Sequence, residues 1–125
     1  MAKEKILIAD DEEGIRELLK LELGLKGYAV TTAVDGEEAV EQLKKEKFDL
    51  LLCDIRMPKA GGIHVLKEAK KYSPTTAVLM MTGYGEELAY KESRRFGAIG
   101  FISKPFHIDE VVSAVEKAVK SPKAP

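Results

Sequence analysis

Five side chains stand where short apolar runs end, and their types suit phosphate chemistry. Asp10 and Asp11 follow KILIA, Asp54 follows LLLC, Thr82 closes AVLMMT, and Lys104 follows GFIS. Acids beside a strand end have an ordinary explanation, because Asp and Glu favour the first turn of a helix. That explanation covers Asp10 and Asp11 taken alone, but not Asp54. If the first and third runs are neighbouring strands, two or three carboxylates crowd together, and each pair repels by about 4 kcal/mol at 4 Å and an effective dielectric of 20. A divalent cation offsets that repulsion. The ligands are all oxygen, which favours a hard ion, and Mg²⁺ takes one or two carboxylates while keeping its other positions for water and phosphate. With Lys104 and Thr82 beside it, such a site neutralises and hydrogen-bonds a phosphoryl group, and an Asp carboxylate is a covalent acceptor of one. Asp54, isolated at the end of the middle run and followed by Pro58 in a loop, is the expected nucleophile.

The elements that must bring these residues together are legible in the rhythm of the chain. Apolar runs at roughly 5–9, 28–33, 49–53, 77–82 and 100–103 alternate with segments of helical period, β then α five times, with no internal repeat. Four of the runs lack polar alternation, as strands do when helices cover both faces of a parallel sheet. The expected fold is therefore α/β, a doubly wound five-stranded parallel sheet with five helices on both faces. In such sheets ligands bind outside the carboxyl ends of the strands, where all five side chains fall.

The helices carry their own punctuation. Ile15, Leu18, Leu19 and Leu23 form the apolar stripe of the first, which Gly27 is placed to end. Asp35 and Glu38 have capping-box spacing for the second, and Gly61 and Gly62 open the third. Ile108, Val111, Val112, Val115 and Val119 form the stripe of the last. The fourth, roughly 85–96, is the poorest, with Leu88, Ala89 and Phe96 as its main apolar contributions among many charges.

Four motifs in this order resemble the receiver domain of two-component response regulators: the acidic pair DD, LLLCDIRMP, MTGYG and FISKPF. The resemblance covers about residues 4 to 120. It implies the flavodoxin-like strand order 2-1-3-4-5, with Asp54 as phosphoacceptor and Mg²⁺ held by Asp10, Asp11, Asp54 and the backbone carbonyl of Arg56. It further implies that Thr82 hydrogen-bonds one phosphoryl oxygen, that Lys104 pairs with another, and that the Lys104–Pro105 bond is cis. Phe101 matches the aromatic switch position, which moves with Thr82 and reshapes the face of the fourth helix, fifth strand and fifth helix. Physically, about −1.5 to −2 charges added beside a two-state element bias it. Lacking the acidic pair of many DNA-binding regulators at GAIGF, the chain is most similar to stand-alone sporulation-type relay receivers and to the receivers of enhancer-binding (NtrC-type) regulators.

The expected function is thus a phosphoacceptor switch. A histidine kinase or phosphotransfer protein donates to Asp54, and the modified domain changes partners, relays the phosphate or dimerises. Such a protein assists its own phosphorylation and dephosphorylation but is not primarily an enzyme. One alternative is the receiver module of a longer transcriptional regulator, with 1–120 as the domain and 121–125 (SPKAP) as a flexible tail or the start of a linker. Another is a small Mg²⁺-dependent phosphatase, but the second acid of such hydrolases is replaced here by Arg56, which cannot act as a general acid or base. Arg56 and Tyr84 lie two residues past Asp54 and Thr82, where large side chains flank a phosphoryl group and slow its hydrolysis.

Other residues read as structure. Cys53 points away from Asp54 on the strand, a buried thiol. His64 and His107 have no clustered partners. GYGEEL at 83–88 begins like a dinucleotide fingerprint, yet Leu88 replaces the third glycine and two acids would repel a pyrophosphate. A flavin site would want hydroxyls and glycines where this chain has DDEE. At 125 residues and 45% hydrophobic the chain suits one domain, and a net charge of −1 gives no field toward nucleic acid or an anionic membrane. A single cysteine, no signal-peptide pattern and no apolar run near the length of about 18 residues that a span needs fit a reducing cytoplasm.

Overall fold

The computed structural model describes residues 3–83 and 85–120. Strands and helices alternate along the chain: β1 (Lys5–Ala9), α1 (Glu13–Leu25), β2 (Ala29–Ala33), α2 (Gly36–Lys45), β3 (Leu50–Asp54), α3 (Gly62–Tyr72), β4 (Ala77–Thr82), α4 (Glu87–Arg95), β5 (Gly100–Ser103) and α5 (Ile108–Lys120). All strand pairs are parallel, in the order β2-β1-β3-β4-β5, so α1 to α4 are the crossovers that parallel strands require, and α5 folds back after the last strand. The expected architecture and order are those observed.

Strand alternation divides the interior into two apolar layers. Leu7, Ala9, Leu51, Cys53, Val78 and Met80 face α2 and α3 through Ala39, Leu43, Val65, Leu66 and Ala69. Ile6, Ile8, Leu50, Leu52, Leu79, Met81 and Ile102 face α1 and α5 through Leu19, Leu23, Val111, Val115 and Ala118. Strands β1, β3 and β4 are covered on both sides, while β2 is half-buried and β5 buries only Ile102. Polar alternation is therefore confined to the edges, as expected for a doubly wound sheet.

Two strands, β2 and β3, differ from the sequence expectation by one residue, and hydrogen bonds account for where they begin. Tyr28 lies outside β2 because its amide bonds Leu23 O and closes α1. Asp49 precedes β3: its amide donates to Lys5 O at 2.8 Å and its carboxylate accepts from Lys5 N at 2.7 Å. At the other end Asp54 is still paired with Met81 of β4, so it is the last residue of β3 and not the first of the loop. The Asp35 cap is present, with Glu38 N donating to Asp35 Oδ1 at 2.8 Å, but Glu38 reaches back to Val34 N and not to the cap's own amide.

The fourth helix is held differently from the expectation. Leu88 is 80% exposed, and Phe96 is partly exposed under the Lys67 ammonium. Ala89 and Tyr90 pack on the core instead, and the buried Ser93 hydroxyl donates to Tyr90 O at 2.7 Å. Among the described residues no helix is long and apolar enough to cross a membrane.

Candidate functional site

The ends of β1, β3, β4 and β5 meet at one rim of the sheet. Asp10 is buried; its Oδ1 accepts from Glu12 N at 2.9 Å, and Arg16 Nη1 donates to its carbonyl at 2.8 Å. Asp11 beside it is exposed. Asp54, also buried, accepts from Arg56 N at 3.3 Å through Oδ1 and from Lys104 Nζ at 3.0 Å through Oδ2. Lys104 is anchored by its amide, which donates to Thr82 O at 2.7 Å, and the Lys104–Pro105 peptide is cis. Its ammonium lies 2.8 Å from Asp10 Oδ2 and 3.5 Å from Glu12 Oε1.

One cation thus serves several acids, and the electrostatics follow. Burial pushes the Asp54 carboxyl above its usual range, against the opposing hydrogen bond and charge of Lys104, with Asp10 adding to the rise. Burial works to lower Lys104, but the hydrogen bonds and charges of Asp10 and Asp54 outweigh it and hold the ammonium well above its usual value. Burial raises the Cys53 thiol strongly, reinforced by Asp54 and Asp10, so it stays protonated in the α2/α3 layer.

The donor set fits a hard divalent ion. Asp10, Asp11 and Asp54 each offer a carboxylate oxygen, all within 4.8 Å of one another. Asp10 Oδ2 is buried, and the contact recorded for it is the Lys104 ammonium at 2.8 Å. Three carboxylates and one ammonium leave two negative charges, which a divalent cation would cancel.

Two close approaches hold the loop after Asp54 in place. A Cβ on Gly62 would stand 2.3 Å from Asp54 O, and one on Gly36 would stand 1.9 Å from Ala60 O. Between them Lys59 and Ala60 adopt left-handed φ values of 52° and 87°, while Pro58 O accepts from Gly36 N at 3.3 Å. The loop is therefore wedged against the start of α2.

A model of the response regulator receiver domain matches residues 6–116. The chain belongs to this family. Sporulation initiation phosphotransferase F of Bacillus subtilis is 42% identical to it over 117 residues, 94% of each chain. Transcriptional regulatory protein ZraR of Escherichia coli K12 is 38% identical over 114 residues, which are 91% of this chain and 26% of that protein. The solved structure of a CheY-like receiver domain protein from Methanospirillum hungatei superposes with a TM-score of 0.90 at 30% identity, covering 94% of each chain. It is a signalling receiver, similar both to a stand-alone relay protein and to the receiver portions of longer regulators.

In this receiver the rim gathers Asp10, Asp11, Asp54 and Lys104, with Thr82 at the adjoining strand end. Thr82, Lys104 and Pro105 also line a cavity of about 550 Å³ with Phe101 and Tyr90. Phe101 is half-exposed and rests on Tyr90, ring centroids 4.5 Å apart and planes tilted by 51°. Tyr84 lies outside the described residues.

Sequence reasoning missed three participants. Glu12 reaches Lys104, and Tyr90 carries the Phe101 ring. The third is Glu86, buried, whose carboxylate accepts from the Gly83 amide and pairs with Arg56 Nε at 2.7 Å. A Glu three residues past a strand-end Gly has the spacing of a helix-start box, but within GYGEE it reads as a solvated charge.

Proposed function

We propose that this receiver is a phosphoacceptor switch in which Asp54 takes a phosphoryl group from a phosphohistidine protein. A carboxylate oxygen of Asp54 attacks phosphorus, the P–N bond of the donor breaks, and the imidazole leaves with the bonding pair. The observation that carries this reading is a buried Asp54 at the end of the central strand, 3.0 Å from Lys104 Nζ, within a three-carboxylate cluster. Asp10, Asp11, Asp54 and the carbonyl of Arg56 would hold Mg²⁺, which when bound supplies neutralising charge for the incoming phosphate. Lys104 stabilises one phosphoryl oxygen, and Thr82 hydrogen-bonds another. Thr82 and Phe101 line the same cavity, so a shift of Thr82 toward the phosphate makes room for the ring and alters the α4–β5–α5 face.

The donor must reach Asp54 over a hydrophobic shoulder. A groove of about 430 Å³ runs from Glu12 and Lys104 between Ile15 and Leu18 of α1 and Pro105 and Phe106 beyond β5. Apolar contact there and charge at its acid end suit the helix of a phosphotransfer protein, leaving the α4–β5–α5 face for downstream partners. Residues 1–120 form the receiver unit, and 121–125 lie outside the described residues. The protein acts in the cytoplasm, where such donors reside. Similarity to ZraR over a quarter of that protein's length supports a second reading, the receiver module of a longer regulator. Arg56 argues against a phosphatase.

Intact-protein mass after incubation with acetyl phosphate and Mg²⁺ tests the reading. Wild type should gain one phosphate, and Asp54→Asn or metal-free protein should not. Absence of any gain would leave a constitutive binding module.

A further inference from the structure

Glu86 is the one buried acid of the region that the chemistry above does not use. It is 7% exposed, at the loop between β4 and α4, and both its oxygens are engaged. One accepts from the amide of Gly83, the residue directly after Thr82; the other pairs with Arg56 Nε at 2.7 Å. Arg56 is also bound at its own amide, 3.3 Å from Asp54 Oδ1. A continuous polar path therefore runs from the acceptor carboxylate through Arg56 and Glu86 to the loop that opens α4. The Arg56 side chain is otherwise 78% exposed, so little besides Glu86 fixes its direction.

We propose that Glu86 is a positioning residue that holds Arg56 back from Asp54 until the phosphate arrives. The inference rests on the phosphoacceptor reading. A phosphoryl group on Asp54 brings about two negative charges to a point adjacent to the Arg56 amide. The guanidinium then has a stronger partner, for which its planar fork is suited, and it turns from Glu86 to the phosphate. Glu86 loses its counter-charge next to a new dianion. A buried carboxylate in that position is driven toward solvent, which releases the Gly83 amide and loosens the first turn of α4. Phosphorylation would thus reach α4 by a polar route separate from the Thr82–Phe101 movement.

The test is a double-mutant cycle read by binding of beryllofluoride, a phosphoryl mimic, to the full chain in Mg²⁺. Glu86→Gln keeps an acceptor for Gly83 N but removes the charge that retains Arg56, so the variant should bind beryllofluoride about three- to ten-fold more tightly than wild type. In the Arg56→Ala background the same substitution should give a clearly smaller gain, only the relief of Glu86's own repulsion. Unchanged or weaker binding by Glu86→Gln would overturn the proposal. So would a gain of the same size without Arg56, because the whole effect would then be direct repulsion of the phosphate. Amide exchange supplies a second readout that does not need Glu86→Gln to fold: Gly83 should exchange faster in free Arg56→Ala than in free wild type, and equal exchange would refute the latch. Wild type that binds no beryllofluoride at all would instead overturn the phosphoacceptor reading itself.

Discussion

Replacing Asp54 by Asn should stabilise the metal-free protein. Asp54 is buried, shares a cluster no wider than 4.8 Å with two other acids, and has one cation at 3.0 Å. At an effective dielectric of 20, repulsion from Asp10 across that spacing is about 3.5 kcal/mol or more, and attraction to Lys104 about 5.5 kcal/mol. Taking the carboxylate out of water costs several kcal/mol more after relaxation. Those opposing contributions leave the charged form disfavoured, in agreement with the raised carboxyl. Asn removes the repulsion and the desolvation while Lys104 keeps Asp10, so we expect a gain of about 1–2 kcal/mol, or about 3–8 °C in melting temperature. A carboxyl whose folded pKa lies above its unfolded value costs stability above the folded pKa, and that cost disappears below the unfolded one. The advantage of Asp54→Asn should therefore be full at neutral pH and close as pH falls toward the ordinary value of 3.8. With Mg²⁺ at ten times its Kd, wild type should recover about 1.4 kcal/mol that the variant does not. Thermal melts of both proteins across pH, with EDTA and with Mg²⁺, make the measurement. A lower melting temperature for Asp54→Asn in EDTA at pH 7 would mean that the Lys104 pair outweighs burial, and the reasoning would fail.

Two further outcomes follow from the loops. Replacing Arg56 and Tyr84 together by Ala should shorten the lifetime of phosphorylated protein, followed by the decay of the phosphate adduct mass; an unchanged or longer lifetime would remove these side chains as a shield against water. Gly62→Ala places a methyl 2.3 Å from Asp54 O, so denaturant unfolding should show a loss of about 2–3 kcal/mol, and a loss under 0.5 would mean that the loop yields easily.

How far the sequence could be read depended on whether burial or geometry did the work. Runs such as LLLC and AVLMM are apolar on both faces, so the central strands and the sheet class were visible directly. Asp10, Asp54, Thr82 and Lys104 were visible because strand ends in such a sheet converge. The anchoring of α4 was not, since Tyr90 and Ser93 serve as its buried side and Leu88, the most apolar residue in sight, faces outward. Residue type does not reveal which side of a short, highly charged helix turns inward. Glu86 escaped notice for the same reason: an acid is buried only because a distant Arg56 and a nearby amide happen to meet it. The Asp49 bridge to Lys5 likewise depends on a pairing 44 residues apart.

The two apolar layers share no side chain. Ile15 and Phe106, beside the acceptor's approach groove, belong to the layer under α1 and α5, whereas Tyr90 and its Phe101 contact sit over the other. The sheet separates Ile15 from the Tyr90–Phe101 pair, but α5 packs in the same layer as α1 and so carries changes there toward the α4–β5–α5 face. If a donor docks on α1, a lineage or an engineer can vary the exposed residues of that helix and leave the Tyr90–Phe101 side untouched, whereas changes on its buried stripe would reach α5 as well.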